Sequence, residues 1–360
     1  MTIRKTQRPT ARKNQHELLL EVRNASVSFD MDRGTSKVLD DVSIDIYRDE
    51  IIGVVGESGS GKSMFASALL DAVVEPGVLS GEVIYHPPDG EPYNIRKLSD
   101  RDLKRFRWEE ISMVFQGAMD SFNPTMTIGE HFEETLYAHD YELEAGMEHG
   151  RTLLKDLYLD PDRVLESYPH QLSGGMAQRA LIALSLLLKP NVLVMDEPTA
   201  ALDLLMQRSI TSLLSKLHEE YDITIVFITH DLPLVADLAD RLAVMYAFQF
   251  VEVGPCHDVL KDAAHPYTRA LLKAVPNLAA ALDEMQPIEG DSPDPVDVPI
   301  GCSYHSRCPL ANEQCVETQP AFRNVSDRHR AACHHWSEAR EVLPYTLSNE
   351  TPEVMFDDAK

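Results

Sequence analysis

Ile51-Ile52-Gly53-Val54-Val55-Gly56-Glu57-Ser58-Gly59-Ser60-Gly61-Lys62-Ser63 decides the fold of this chain. Residues 51–55 carry no charge and read as a strand buried on both faces. Residues 56–63 then satisfy the G-x-x-x-x-G-K-[ST] loop pattern, with a helical stretch behind them, which is the context that gives the pattern its meaning. The glycines let the backbone curl until its N–H groups point at phosphate oxygens, and the following helix N-terminus adds partial positive charge. Gly56, Glu57, Ser58, Gly59, Ser60 and Gly61 are the expected cradle. Lys62 is placed to reach the β- and γ-phosphates of a nucleotide, and the Ser63 hydroxyl to ligate Mg²⁺.

Working outward, residues 18–29 alternate apolar and polar side chains like a half-buried strand, and residues 38–47 do so again. Residues 30–37 read as a turn-rich connection, and the helix behind the loop is expected to run over 62–73. Further apolar strands fall at 192–195 and 223–228. Short runs of this kind suit an α/β fold, a largely parallel sheet with helices on both faces. Residues 120–190 show helical patterning and few strand signals, as a helical insertion would. After an expected helix at 267–274, the prolines Pro287, Pro293, Pro295 and Pro299 mark an extended linker.

Val192-Leu193-Val194-Met195-Asp196-Glu197 ends an apolar strand on two carboxylates. Behind a phosphate loop, Asp196 is placed to hold the Mg²⁺ shell and Glu197 to polarise an attacking water. His230 follows the strand at 223–228. By itself a histidine at a strand end carries little information.

The 360 residues carry a formal charge of −25, from 58 acidic against 33 basic side chains. An excess of this sign opposes general nucleic-acid binding, which needs a basic footprint. It resembles the carboxylate-rich surfaces of proteins from salt-loving organisms. The one basic cluster, Arg4, Lys5, Arg8, Arg12 and Lys13, sits in an N-terminal stretch that reads as a solvated arm. No stretch has the length and apolarity of a spanning helix, and no signal peptide is visible, so the expected location is the cytoplasm. Cys302, Cys308, Cys315 and Cys333 crowd the last sixty residues or so, away from Cys256. In a reducing compartment such a cluster suggests a metal site before disulfides.

Leu172-Ser173-Gly174-Gly175-Met176-Ala177-Gln178 resembles the ABC signature. The phosphate loop, Gln116 in Val114-Phe115-Gln116, the signature, the Asp196-Glu197 strand end, Ala201-Leu202-Asp203 and His230 stand in the order found in the nucleotide-binding subunits of ABC transporters. The resemblance implies a P-loop NTPase fold, with a mixed-sheet core, a helical subdomain near 120–190 and a small Cys-rich C-terminal extension. It also implies roles for particular residues. Phe29 would stack on adenine, and Gln116 would touch Mg²⁺ or water and signal to membrane subunits. Ser173, Gly174 and Gly175 would meet ATP held by the opposite subunit. Asp203 would lie at the dimer interface, and His230 at the γ-phosphate. Glu197, His230 and Gln116 are thus the expected catalytic set, working on ATP and Mg²⁺.

Beyond this core, Ser121-Phe122-Asn123-Pro124, Tyr168-Pro169-His170-Gln171, His265-Pro266-Tyr267-Thr268-Arg269 and Gly301-Cys302-Ser303-Tyr304-His305-Ser306-Arg307-Cys308-Pro309 are similar to the oligopeptide/dipeptide importer branch. The expected layout is a tail over 1–16, an ATPase domain over 17–265, a helix and linker over 266–300, a Cys-rich segment over 301–340 and a tail over 341–360. The branch implies a second ATPase subunit as a sister chain, two permeases, and an extracytoplasmic binding protein that acts through them. It places the chain at the cytoplasmic face of the membrane. Cargo is a short peptide, with nickel, glutathione or an oligosaccharide as alternatives; a soluble non-transport ABC ATPase is the remote one. In some members the corresponding cysteines look like [4Fe–4S] ligands, while Zn²⁺ or free thiols remain open here. The chain departs from the branch at Ala247-Phe248-Gln249-Phe250, where a glycine-containing turn is usual, and at Ala177, where arginine is common.

Overall fold

The structure, a computed structural model, describes residues 17–200, 202–274 and 288–345. The basic arm, Ala201, Pro287 and the terminal tail from 346 onward lie outside the described residues. The strands are β1 (Leu18–Met31), β2 (Gly34–Tyr47), β3 (Ile51–Val55), β4 (Val78–Tyr85), β5 (Tyr93–Asn94), β6 (Ile111–Val114), β7 (Val192–Asp196), β8 (Thr224–Thr229), β9 (Arg241–Tyr246), β10 (Gln249–Pro255), β11 (Arg323–Ser326) and β12 (His329–Ala331).

β3 lies inside the larger sheet, whose order is β11-β12-β10-β9-β3-β8-β7-β6. It runs parallel to β8 and β9, and β8-β7-β6 continue in parallel, while β10 turns back antiparallel on β9. Every residue of β3, β6, β7 and β8 is buried, because both faces are covered. The two-residue period of the strands sorts these side chains. Ile52, Val54, Val194 and Val226 join a cluster with Phe65 and Leu69 of the helix Lys62–Leu69 and with Leu20, Val22 and Leu39 of a second sheet. Ile51, Val55, Leu193, Met195, Ile225 and Phe227 face the other way, into the core shared with the helices at 120–190.

The second sheet, β2-β1-β4-β5, is antiparallel throughout. Sequence reading saw its strands but not that they form a sheet of their own. It also made the β1–β2 connection too long. Pairing of Asp30 with Thr35 and Met31 with Gly34 carries the strands through the stretch taken for a turn, leaving only Asp32 and Arg33 at the tip. The helix behind the loop stops at Leu69, a turn short of the expected end. Asp71 takes a left-handed φ of 49°, and the Arg107 guanidinium captures the Leu70 and Asp71 carbonyls that a longer helix would have used.

The helical insertion contains Ile128–Ala138, Leu143–Asp156, Pro161–Glu166 and Gly174–Ser185. Thr127 and Glu130 form a capping box at the first, and Asp160 with Pro161 starts the third. The first two helices approach closely because Gly146 and Gly150 face Leu136 and Phe132. A Cβ at either glycine would stand 2.4 Å or 2.7 Å from those side chains.

The cysteine-bearing segment is joined to the ATPase sheet. β12 pairs with β10 through Glu252–Ala331 and Val253–Arg330. His329 donates to the fully buried Glu252 carboxylate at 2.7 Å, and Glu252 also accepts from the amides of Ala264 and His265. The buried carboxylate is thereby satisfied by donors from both sides. The described part of the linker is bound as well: the Lys37 backbone amide donates to the Pro295 carbonyl at 2.8 Å, and Arg33 pairs with Asp294.

Candidate nucleotide site

The loop leaves β3 and enters the helix Lys62–Leu69 through Gly61, at a left-handed φ of 105°. Two glycines are sterically required. A Cβ on Gly56 would lie 2.1 Å from the Met245 carbonyl oxygen, and one on Gly61 would lie 2.7 Å from that of Val38. The loop is also braced from the β9–β10 turn, where the Phe248 amide donates to the Ser60 carbonyl at 2.9 Å. That turn holds Ala247 and Phe248 at φ of 43° and 71°. The tight hairpin therefore survives without its usual glycine, with the backbone strain that a positive φ imposes on these residues.

Lys62 is buried in the loop and donates to the carbonyls of Gly56 at 2.9 Å and Glu57 at 2.8 Å. Burial pushes its ammonium below the ordinary lysine value, against the pull of Glu197, Asp196 and Glu57. Burial likewise pushes the Asp196 carboxyl above the usual range, opposed by a hydrogen bond from Ser63. Asp196 Oδ1 is buried without a hydrogen-bond partner, as is Ser60 Oγ. A serine hydroxyl beside a carboxylate with an uncommitted oxygen is the hard donor set that Mg²⁺ takes, together with phosphate oxygens and water.

Glu197 sits at φ 50°, its amide bonded to the Ile228 carbonyl at 2.9 Å, which turns the side chain out of the strand direction. His230 Nδ1 contacts both carboxylate oxygens, at 2.7 and 3.0 Å. A carboxylate oxygen only accepts, so Nδ1 carries the proton and Nε2 is left for another partner. β7 and β8 are adjacent parallel strands, so Asp196, Glu197 and His230 emerge at the same sheet end as the loop, where ligands bind in open α/β sheets.

The remaining expected residues stand elsewhere. Gln116 is exposed beyond the end of β6. Phe29 is half-buried on the antiparallel sheet, with its ring against Gly77. Ser173 caps the helix Gly174–Ser185, its hydroxyl accepting from the Met176 amide at 3.4 Å. Gly174 is exposed in open space, while Gly175 packs under Met206. Asp203 caps the helix Leu204–Tyr221, whose first residues Leu204 and Leu205 are 76% and 81% exposed. Among the described residues, no hydrogen bond or ion pair joins Ser173 or Gly174 to the phosphate loop of the same chain.

Sequence reading missed three side chains that reach the loop: Tyr267, Ser292 and Arg307, all on Glu57. The loop pattern leaves its second position free, so nothing in it flags a partner there.

Burial pushes the thiols of Cys308 and Cys333 up to about 11 and about 12, and Cys333 senses Cys302, Cys308 and Cys315 electrostatically. Among the described residues, however, no group of three or more His, Cys, Asp or Glu side chains is arranged to hold a metal ion.

A phosphate loop at the end of β3, with Asp196, Glu197 and His230 at the same sheet end and a separate glycine-opened helix start at Gly174, is the arrangement expected of an ATP-binding-cassette ATPase. Comparison with known proteins agrees. The ABC transporter family profile matches residues 39–200, and that of the oligopeptide/dipeptide transporter C-terminal region matches residues 251–315. The dipeptide transport ATP-binding protein DppD of Caldanaerobacter subterraneus subsp. tengcongensis is 39% identical over 328 residues, covering 90% of this chain and 99% of that one. The oligopeptide transport ATP-binding protein OppD of Escherichia coli is 37% identical over 319 residues, covering 88% and 93%. Among solved structures, the dimeric post-hydrolysis state of the ATP-binding cassette MJ0796 bound to ADP and Pi aligns with a TM-score of 0.58 at 27% identity, over 66% of this chain and 99% of that one. The chain belongs to the ATP-binding subunits of ABC transporters, in the group that carries the oligopeptide/dipeptide C-terminal region.

Proposed function

We propose that this subunit hydrolyses ATP to drive import of di- and oligopeptides through two membrane permeases, from the cytoplasmic face. The observation that carries the hydrolytic part is the Glu197–His230 pair at the strand end beside Lys62 and Asp196. The loop amides and Lys62 bind the phosphates, Lys62 exchanging its two carbonyl partners for phosphate oxygens. Ser63 and Asp196 would hold Mg²⁺, with Gln116 near its shell, where it would supply charge neutralisation for the transferring phosphate. Glu197 takes a proton from the attacking water, and the His230 ring, aligned through Nδ1 on Glu197, stands beside the γ-phosphate. Phe29 stacks on adenine. Ser173, Gly174, Gly175 and Asp203 complete the site of a second ATPase subunit, a sister chain, and the exposed Leu204 and Leu205 give that interface its apolar contact.

A cleft of about 630 Å³ between the main sheet and the helical insertion is lined by Trp108, Met113, Phe115, His131 and Leu181. Asp100, Lys104, Arg107 and Glu134 line it too, so it suits an amphipathic helix of a permease. Among the described residues no helix is long and apolar enough to cross a membrane, so passage of cargo falls to those other chains. The peptide assignment rests on the C-terminal match and on relatives named for peptide transport. It is tested by uptake of a labelled dipeptide into cells carrying the transporter and its extracytoplasmic binding protein. Unlabelled peptides are expected to compete; competition by nickel, glutathione or an oligosaccharide instead would reassign the cargo.

The four C-terminal thiols support a further reading, that Cys302, Cys308, Cys315 and Cys333 ligate a [4Fe–4S] cluster, or Zn²⁺ in its place. The support is donor chemistry alone: four soft thiols, two of them buried, carried by a segment docked on the ATPase sheet. Metal binding would release their protons. Anaerobically purified protein should contain about four iron and four sulfide per chain with charge-transfer absorbance. Metal-free protein without that absorbance removes the reading.

A further inference from the structure

Glu57 is the second residue of the phosphate loop, and every polar group it has is engaged. Its amide donates to the Tyr267 hydroxyl at 2.9 Å, which turns that N–H away from the phosphate cradle. Its carbonyl accepts from Lys62. Its carboxylate receives two parallel bonds from Arg307, Nη1 to Oε2 at 2.8 Å and Nη2 to Oε1 at 2.9 Å, and a third from the Ser292 hydroxyl at 2.7 Å. Arg307 lies in the C-terminal segment, 250 residues away in sequence, between Cys302 and Cys308.

Arg307 is itself held on all sides. Nε donates to the Glu289 carbonyl at 2.8 Å and Nη2 to that of Ile288 at 3.2 Å. Its guanidinium lies over Tyr246 and Tyr304, with centroids at 5.7 and 5.8 Å, and its side chain is only 5% exposed. Tyr246, Tyr267 and Tyr304 come from β9, the helix Pro266–Lys273 and the C-terminal segment, and their rings touch at centroid separations of 4.4 to 5.4 Å. A fork-to-fork ion pair in such a setting fixes direction as well as distance. Burial alone would raise the Glu57 carboxyl, yet hydrogen bonds from Arg307 and Ser292 outweigh it and hold the carboxyl below its usual range.

We infer that Arg307 is a positioning residue for ATP binding: through the paired Glu57 carboxylate it fixes the backbone on which Lys62 rests, making the C-terminal segment a working part of the phosphate loop. The inference rests on the reading that this loop holds ATP. It assigns the segment a task in the catalytic cycle whatever the cysteines bind.

The test uses the full-length chain for Mg²⁺-dependent binding of a fluorescent ATP analogue, and the assembled transporter for KM and kcat. Arg307→Ala is expected to weaken analogue binding and raise KM for ATP about tenfold, with kcat within about threefold, since it removes charge-assisted bonds from the loop and not from the attacking water. Glu57→Gln should do nearly the same, and the double variant should be no worse than the worse single one. Arg307→Lys, which keeps the charge but loses the fork, should fall between. Affinity within about twofold of wild type in Arg307→Ala overturns the inference, and so do effects that multiply in the double variant. If Arg307→Ala does not fold, Glu57→Gln and Arg307→Lys carry the same comparison. A wild-type chain that binds no analogue contradicts the ATP reading itself, whereas a binding wild type with unaffected variants contradicts only the positioning role.

Discussion

Replacing Glu197 by glutamine is expected to leave ATP binding intact while lowering steady-state hydrolysis in the assembled transporter by about 10²–10⁴-fold, the range that general base catalysis supplies. The substitution is close to isosteric, and the backbone at φ 50° is held by the amide bond to Ile228, which glutamine preserves. Its amide oxygen can still accept from His230 Nδ1, so the histidine keeps its orientation. What disappears is the group able to take a proton from water. The loop, Lys62 and Asp196, the expected nucleotide contacts, are untouched, so equilibrium binding and turnover should separate cleanly. Near-normal hydrolysis by the variant would sink the assignment of Glu197.

The second large effect concerns the signature. Gly174 opens its helix in open space, and it is not among the glycines held at positive φ. Aspartate should therefore fit there, and its charge at a helix N-terminus favours the fold by about 0.3–1 kcal/mol. In the assembled pair the same carboxylate would face the γ-phosphate of ATP held by the second subunit. Gly174→Asp is thus expected to preserve folding and the chain's own ATP affinity while lowering hydrolysis by the pair about a hundredfold or more, the scale on which one charge-stabilising contact acts in a dry site. Thermal unfolding and analogue binding on the chain alone, set beside hydrolysis by the transporter, check both halves. Unchanged hydrolysis, or lost binding in the isolated chain, would show that the signature does not act across the interface.

Much of this arrangement is local and so is readable from sequence. The phosphate loop, the Asp196-Glu197 strand end and the Ser173 helix start each fit within a few residues, where glycine placement, apolar runs and capping chemistry act directly. Parallel β3, β7 and β8 betrayed themselves by unbroken apolarity, as strands covered on both faces must. The β1–β2 hairpin was misjudged because Asp30, Asp32, Arg33 and Gly34 look like loop residues, although cross-strand pairing holds all but the tip. The helix end at Leu69 depends on Arg107, which lies some forty residues on in the chain. The Glu57–Arg307 pair is further still from local encoding: no periodicity or spacing links the two positions, and only the docking of the C-terminal segment brings them together. The cysteines show the reverse limit, since crowding in sequence does not by itself set side chains in a ligand geometry.

ATP hydrolysis at a site shared by two ATPase subunits is expected to power peptide entry, and that coupling is open to measurement. Its most direct measurement is uptake of a labelled dipeptide by vesicles holding the permeases and both ATPase subunits, with ATP on the side of this chain and the binding protein on the other. Accumulation should require ATP, follow the hydrolysis rate, and be lost in both Glu197→Gln and Gly174→Asp. Accumulation that persists in either variant, or wild-type hydrolysis with no peptide accumulated, would contradict it.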